Sequence, residues 1–235
     1  MSSTILNMRE MVRGHCARLR FTFRHNTCCV QHLESVAEHA YFVGLYALLI
    51  AHSVNERFMM KDPSVAAEID VAAVLERAIL HDLEEARSGD FPRGFKYSDP
   101  ELKAQLDIAA GKALDQVLAP LTGSPMMRAA WHALWRDAKC DTPEGCIVAF
   151  ADFLSVLSFF AFEERGGNWS VLEHCNLMVQ YFEEFRHPRF DFIRGLVEQV
   201  DPLMKEFFHD PRGPDGSCGH PGGAGPAVRR LRDQS

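Results

Sequence analysis

The chain has 235 residues, of which 47% are hydrophobic and 24% are charged, and its formal net charge is −7. This length favours one compact domain over two, and the acidic balance excludes a broad basic surface for a long nucleic acid. The seven cysteines lack paired spacing, which predicts a reduced, cytoplasmic protein. We find no secretion signal and no stretch long enough to cross a bilayer, so we expect no membrane attachment.

Helical periodicity runs along most of the chain and predicts an all-α fold. The first clearly marked helix begins at Ser35, which can cap the amide of Glu38 while the Glu38 side chain reaches back to Ser35. Apolar residues then recur at helical spacing and predict an inward-facing stripe that includes a histidine: Val36, His39, Val43, Tyr46 and Ile50.

A second helix is predicted from about residue 66 or 71 to Ala86. Its apolar face, which starts at Val71, continues through Asp82 and Glu85, whereas Glu84 is expected on the solvent-exposed face. Three further helices are predicted where a capping residue precedes a proline: Asp99-Pro100, Ser124-Pro125 and Thr142-Pro143.

The last two predicted helices run from a capping box at Ser170 to about Phe185, and from about Arg189 to Phe208 with a bend at Pro202. No strand pair is evident. After His209 the sequence is rich in Gly and Pro, which predicts a disordered tail at 209–235 behind a domain at 1–208.

The inward face of the second helix carries His81, Asp82 and Glu85, which is unusual for a core position. Carboxylates buried without partners are costly, so a cation or a hydrogen-bond network must meet them. Two other apolar helices add His39 and Asp152. Any one of these residues alone is more often a hydrogen-bonded core residue than a ligand.

Together, the histidines and aspartates predict a metal site, because they lie on three separate helices. Two imidazoles and two carboxylates suit a divalent ion such as Co, Mn, Mg, Zn, Fe or Ni, whereas calcium prefers more oxygen ligands. Such an ion can activate water and polarise a phosphoryl group, which is metal-assisted hydrolysis.

The segments "VAEHA", "LHDLEE", "SGDFP" and "FADFLS" resemble the HD-domain phosphohydrolases, and the bacterial 5′-deoxynucleotidases in particular. The resemblance covers about residues 9–185 and implies a single compact HD-domain helical fold. It also implies that the metal ligands are His39, His81, Asp82 and Asp152.

The same resemblance implies roles for residues around the metal. Glu85 matches the catalytic glutamate of the family, which handles a proton of the attacking water or of the leaving group. Asp90 matches a second active-site carboxylate that holds water or the sugar. Arg24 matches a phosphate-binding arginine, and Lys96 matches a position that could meet a phosphate, although Lys96 could equally be an exposed loop lysine.

His25 is the main departure from the family, because the 5′-deoxynucleotidases have a tryptophan there that packs against the sugar. A smaller and more polar ring predicts weaker rejection of a 2′-hydroxyl, unless His25 faces solvent or caps a turn and another side chain has taken over its role.

The predicted function is removal of the 5′-phosphate from a nucleoside or deoxynucleoside monophosphate. One alternative is a dNTP phosphohydrolase, acting for example on dATP, with the same metal site. An alternative of another class is a non-catalytic nucleotide sensor or partner-binding helical protein, which the presence of Glu85 disfavours. The predicted partner is a small nucleotide, and the resemblance also allows a homodimer or higher homo-oligomer.

Overall fold

The computed structural model of the chain describes residues 5–207, apart from the side chains of residues 172, 173 and 175. The predicted tail at 209–235 and the predicted domain boundary at 208 lie outside the described residues. Within 5–207 there is no β-strand, and the α-helices are α1 (Met8–Arg13), α2 (Val36–Met59), α3 (Val71–Leu80), α4 (Glu85–Ser88), α5 (Arg93–Lys96), α6 (Pro100–Leu121), α7 (Pro125–Arg136), α8 (Pro143–Arg165), α9 (Cys175–Glu183) and α10 (Arg194–Phe207). Short 3₁₀ helices lie at His15–Arg20, Trp169–His174, Glu184–Arg186 and Pro188–Ile193. The predicted all-α fold is confirmed.

Four predicted helix starts are confirmed, and each depends on local capping. Ser35 Oγ accepts the Glu38 amide at 3.2 Å, and the Glu38 carboxylate accepts the Ser35 amide at 2.8 Å, which completes the capping box of α2. A side chain that accepts a backbone N–H also precedes the first proline of α6, α7 and α8: Asp99, Ser124 and Thr142.

The main core lies between α2 and α8, with α3 packed against both helices. Phenylalanine rings fill it, including Phe153 and Phe185, whose centroids are 5.2 Å apart. A second cluster forms around Leu114 and Leu118 of α6 and includes the α3–α4 connection. The residues that join α3 to α4 therefore lie where the two clusters meet.

Helix α8 corrects the expectation that no stretch is long enough to span a bilayer. Its 23 residues meet the length and composition of a membrane span. However, 72% of its most apolar window is buried inside the fold, which is the position of a core helix. Burial in the core therefore accounts for its apolar composition.

The predicted continuous helix ending at Ala86 is wrong, because α3 ends at Leu80 and α4 begins at Glu85. Between them, the amides of Leu83 and Glu85 bond to carbonyls three residues earlier, at 3.1 and 3.2 Å. Such 3₁₀ turns have three residues per turn instead of 3.6, so the inward face changes register.

Glu84 shows the effect of this change in register. It was expected on the solvent-exposed face, but it is buried with 4% exposure and accepts a hydrogen bond from Trp135 Nε1 at 2.6 Å. Burial and the nearby Asp82 raise the pKa of Glu84 to about 7. Glu84 therefore joins the α3–α4 connection to α7.

The last two helices also begin later than predicted. Ser170 does not precede an α-helix, because it lies inside the 3₁₀ helix Trp169–His174, where its hydroxyl contacts Asn168 Oδ1 and lies 3.1 Å from the Cys29 carbonyl oxygen. α9 starts after it, at Cys175. A 3₁₀ helix occupies Pro188–Ile193, so the final α-helix begins at Arg194 rather than near residue 189.

Candidate active site

The segment before α2 folds back over the N-terminus of that helix. The Arg24 amide donates to the Glu34 carbonyl at 2.9 Å, and the Val36 amide donates to the Thr22 carbonyl at 2.8 Å. This short antiparallel pairing brings Arg24 within electrostatic reach of His39, although fifteen positions separate them in the sequence.

Four ligand-type side chains meet beneath this loop, from α2, from the α3–α4 connection and from α8. His39 Nε2 lies 2.9 Å from Asp152 Oδ1, and His81 Nε2 lies 2.9 Å from Asp82 Oδ2. The two Nε2 atoms are 3.4 Å apart, and both imidazoles are buried. The structure thus brings together all four residues that the sequence analysis predicted to be metal ligands.

The donor atoms of this group fit a divalent cation. His81 Nδ1 lies 2.7 Å from the Ala78 carbonyl, so a neutral ring that donates there has its lone pair on Nε2, facing the Asp82 carboxylate. Burial and the Arg24 charge lower the pKa of His39 to about 4, which favours the neutral, ligating form. The His81 Nε2 lone pair and the Asp82 carboxylate are both acceptors, so a cation or a proton must lie between them. Divalent ions bind such atoms at roughly 2.0–2.2 Å.

Glu85 begins α4 and lines the cavity beside the ligand group. It is buried, and its Oε2 atom has no hydrogen-bond partner among the described residues. Burial and the neighbouring Asp82 raise the pKa of Glu85 well above its usual value. These surroundings favour the protonated form of Glu85 over the charged one.

Asp90 reaches the same cavity through a turn that needs glycine. Gly89 has a φ of 77°, a left-handed conformation that a residue with a side chain rarely adopts. The Asn26 side chain then donates to the Asp90 carbonyl at 3.2 Å and ties this turn to the loop before α2. Burial raises the pKa of Asp90, while Arg24 opposes the shift.

Arg24 is a nearly buried cation at the cavity wall. Its side chain is 12% exposed, and Nη1 lies 3.6 Å from Glu34 Oε2. Its Nε and Nη1 atoms make no hydrogen bond within residues 5–207. Although burial disfavours the charge, Asp152 and Asp82 keep the pKa of Arg24 raised. Buried N–H groups without an acceptor are costly, so this guanidinium suits an anionic ligand.

His25 packs into the same wall. Its ring stacks on Phe159, with 4.6 Å between centroids and 9° between planes, and its Nε2 lies 3.2 Å from Glu34 Oε2. The side chain is only 10% exposed, so the alternative that His25 faces solvent is wrong. His25 does take part in a turn, because its carbonyl accepts the Cys28 amide at 2.9 Å. Lys96, the last residue of α5, is half-buried and also lines the cavity.

The cavity that these groups surround measures about 410 Å³, within the range of roughly 300–1,000 Å³ that small-molecule sites occupy. Charged side chains line the cavity, including Arg24, Asp82, Glu85, Asp90, Lys139 and Asp152. Aromatic and aliphatic side chains also line the cavity, including Phe91, Phe95, Tyr97, Phe160 and Leu177. This mixed lining suits a small ligand that carries both an anionic group and a flat apolar group.

A family model described as "5′-deoxynucleotidase YfbR-like" matches residues 13–200 of the chain. The chain belongs to this YfbR-like family. By this family membership it is a hydrolase. A comparison with curated proteins finds no significant match.

Solved structures share the fold of this YfbR-like chain. A conserved hypothetical protein from Pyrococcus furiosus is 26% identical with a TM-score of 0.63, over 84% of this chain and 100% of that one. An HD-domain phosphohydrolase from Listeria innocua is 21% identical with a TM-score of 0.68, over 89% and 96%. A predicted metal-dependent phosphohydrolase from Magnetospirillum magnetotacticum is 20% identical with a TM-score of 0.58, over 85% and 92%.

Sequence reasoning missed two side chains that hold Asp152 in the YfbR-like chain. The Lys139 ammonium lies 2.6 Å from Asp152 Oδ2, and the buried Tyr181 hydroxyl donates to the same oxygen at 2.8 Å. Although burial favours the neutral acid, Lys139 and His39 lower the pKa of Asp152 well below its usual value. Tyr181 lies on a helix that was predicted to be amphipathic, so an inward-facing role could have been predicted for it. No local sequence pattern indicates a role for Lys139.

Two further supporting residues were also missed. Glu34 is buried and contacts both Arg24 and His25. The only sequence signal for it was its position directly before the helix-capping residue Ser35. Ser155 Oγ lies 3.0 Å from His39 Nδ1, on the opposite side of the ring from the ligand group. Its spacing of three residues from Asp152 on α8 was a usable signal, because such residues share a helix face.

Proposed function

We propose that this protein removes the 5′-phosphate from nucleoside or deoxynucleoside monophosphates, using a divalent metal ion held by His39, His81, Asp82 and Asp152. The observation that carries this proposal is the pairing of that four-residue group with a buried arginine, whose Nε and Nη1 atoms make no hydrogen bond within the described residues, in one small cavity. Membership of a 5′-deoxynucleotidase family supports the choice of substrate class.

The metal ion, when bound, supplies Lewis acidity that activates water and polarises the phosphoryl group. The protein's part is to fix the ligand atoms: the Ala78 carbonyl orients His81, Ser155 orients His39, and Tyr181 orients Asp152. The donor set accepts Co, Mn, Mg, Zn, Fe or Ni, and it has fewer oxygens than calcium prefers.

Glu85 is assigned the proton transfers. The water oxygen forms a bond to phosphorus while the bond from phosphorus to the 5′-oxygen breaks. Glu85, whose raised pKa lets it hold a proton, donates that proton to the 5′-oxygen and recovers one from the attacking water. The products are a nucleoside and inorganic phosphate, and the Glu85 carboxyl is unchanged after each turnover.

The remaining cavity residues bind the substrate. Arg24 offers a planar pair of N–H groups to the phosphate oxygens, and Lys96 adds a second cation at the rim. Asp90 and His25 face the sugar, and the apolar wall contacts the base.

The test is a substrate panel on chelator-treated protein, with each divalent metal added back in turn. The panel contains ribo- and deoxynucleoside monophosphates and dNTPs, and chromatography separates inorganic phosphate, pyrophosphate and triphosphate. We expect metal-dependent release of inorganic phosphate from monophosphates. Triphosphate or pyrophosphate release from dNTPs would establish the dNTP phosphohydrolase instead, and nucleotide binding without turnover under every metal would establish the sensor.

A further inference from the structure

Lys139 lies in the turn between α7 and α8, outside every motif of the HD pattern. Its side chain is 36% exposed, and it lines the cavity while its ammonium contacts Asp152 Oδ2 at 2.6 Å. The charges of both Asp152 and Asp82 act on it, as they act on Arg24. Lys139 and Arg24 are therefore two cations that face the same pair of carboxylates.

The fold fixes the turn that presents Lys139. Ala138 is buried immediately before it, at 3% exposure. On the other side, the backbone of Cys140 lies so close to α8 that a Cβ atom on Gly145 would sit 2.4 Å from the Cys140 carbonyl oxygen. Only glycine allows this approach, so the turn is held against the start of α8 and the lysine emerges beside the cavity.

Asp152 has other contacts besides Lys139 that hold its position. The Tyr181 hydroxyl already donates to Oδ2 from a buried site, and His39 contacts Oδ1 at 2.9 Å. A divalent ion at the ligand group would also offset the charges of Asp82 and Asp152, which weakens the attraction that holds the ammonium there. Lysine is long and flexible, and its three donors can turn to another acceptor.

We propose that Lys139 is a phosphate-binding residue of the active site, which contacts Asp152 when the cavity is empty and a non-bridging phosphate oxygen when substrate is bound. This inference rests on the proposed function, because it takes the ligand to be a phosphomonoester. Arg24 and Lys139 then bind the phosphate from two walls of the cavity, one with a planar fork and the other with a point charge.

The experiment measures binding of inorganic phosphate to manganese-loaded protein by isothermal titration calorimetry, with manganese content determined separately by mass spectrometry. Lys139→Met should keep its metal and weaken phosphate binding by about 10- to 100-fold, as expected for loss of a charge-assisted hydrogen bond. Lys139→Arg should recover part of the affinity. The matched control is Lys112→Met, an exposed lysine of α6, which should bind phosphate like the unmodified protein.

Unchanged phosphate affinity in Lys139→Met would overturn the inference, and so would loss of bound manganese, since the lysine would then only position Asp152. The steady-state constants add a second readout, because a phosphate contact raises KM for a nucleoside monophosphate more than a purely structural role does. Failure of the proposed function looks different: the unmodified protein would bind phosphate and manganese but release no phosphate from any nucleoside monophosphate.

Discussion

Exchanging Glu85 for glutamine tests the assigned proton transfers with the smallest change in shape. The amide cannot exchange a proton, so kcat should fall by about 10² to 10⁴, which is roughly 3 to 5 kcal/mol of barrier. Oε2 of Glu85 has no hydrogen-bond partner within the described chain, so the free energy of unfolding should fall by less than about 1 kcal/mol. Phosphate release at saturating substrate gives kcat, metal analysis gives occupancy, and urea unfolding gives stability.

The adjacent Glu84 provides the matched control. It is as deeply buried as Glu85, but its carboxylate is turned to Trp135 Nε1, and glutamine can still accept that hydrogen bond. Glu84→Gln should therefore leave kcat within about threefold of the unmodified protein. Equal rate losses in the two variants would refute the reasoning, because local packing would then explain both. Loss of metal from Glu85→Gln would instead make Glu85 a ligand.

Three further predictions concern the surroundings of the site. His25→Trp should raise the deoxy-over-ribo ratio of kcat/KM by about 10- to 200-fold if the ring at this position contacts the sugar, and an unchanged ratio would move selectivity elsewhere. Tyr181→Phe removes the buried donor to Asp152 and should weaken metal affinity by about 10- to 100-fold, measured by metal titration; unaltered affinity would show that the hydroxyl is dispensable. Glu163 accepts the amides of residues 31 and 32 at 2.7 and 2.8 Å. Although burial opposes ionisation, these bonds and those from the Asn168 and His32 side chains lower the pKa of Glu163 to about 2 from 4.5. The Glu163 carboxylate therefore contributes its full stabilisation at a pH above its pKa in the unfolded chain, and this contribution is lost as the pH falls through its pKa in the folded chain. Glu163→Gln should lower the free energy of unfolding by about 1 to 3 kcal/mol at neutral pH and flatten the acid dependence of urea unfolding. A variant with the same acid profile as the unmodified chain would contradict this account.

The parts of the fold that the sequence predicted depend on interactions between near neighbours. Ser35 and Glu38 cap each other within one turn, and a residue such as Asp99 needs only the amides directly after it. Ser170 shows the limit of such patterns. Its hydroxyl contacts Asn168 Oδ1 two residues earlier and the carbonyl of Cys29, which is far away in the sequence, and the second contact could not have been predicted from a local motif.

The same distinction applies to the candidate site. The metal ligands could be predicted because they are ionisable residues on otherwise apolar helix faces, and buried charges are rare without partners. The register of the α3–α4 connection was not predictable, since hydrogen bonds three residues apart replace the α-helical pattern only after Leu80. That shift turned Glu84 inward. Lys139 was hidden for another reason: a lysine in a polar turn looks the same whether it points to solvent or into a cavity.

The central claim is that His39, His81, Asp82 and Asp152 hold the metal ion on which hydrolysis depends. Titration of the metal-free protein with Co²⁺ tests this claim most directly. Visible absorption and phosphate release from a deoxynucleoside monophosphate are followed in the same samples. We predict that both signals rise together and reach a plateau at a single saturable site, and that Asp152→Ala and His81→Ala lose both. Full phosphate release in the absence of metal, or an unchanged cobalt spectrum in those variants, would contradict the metal centre proposed for this fold.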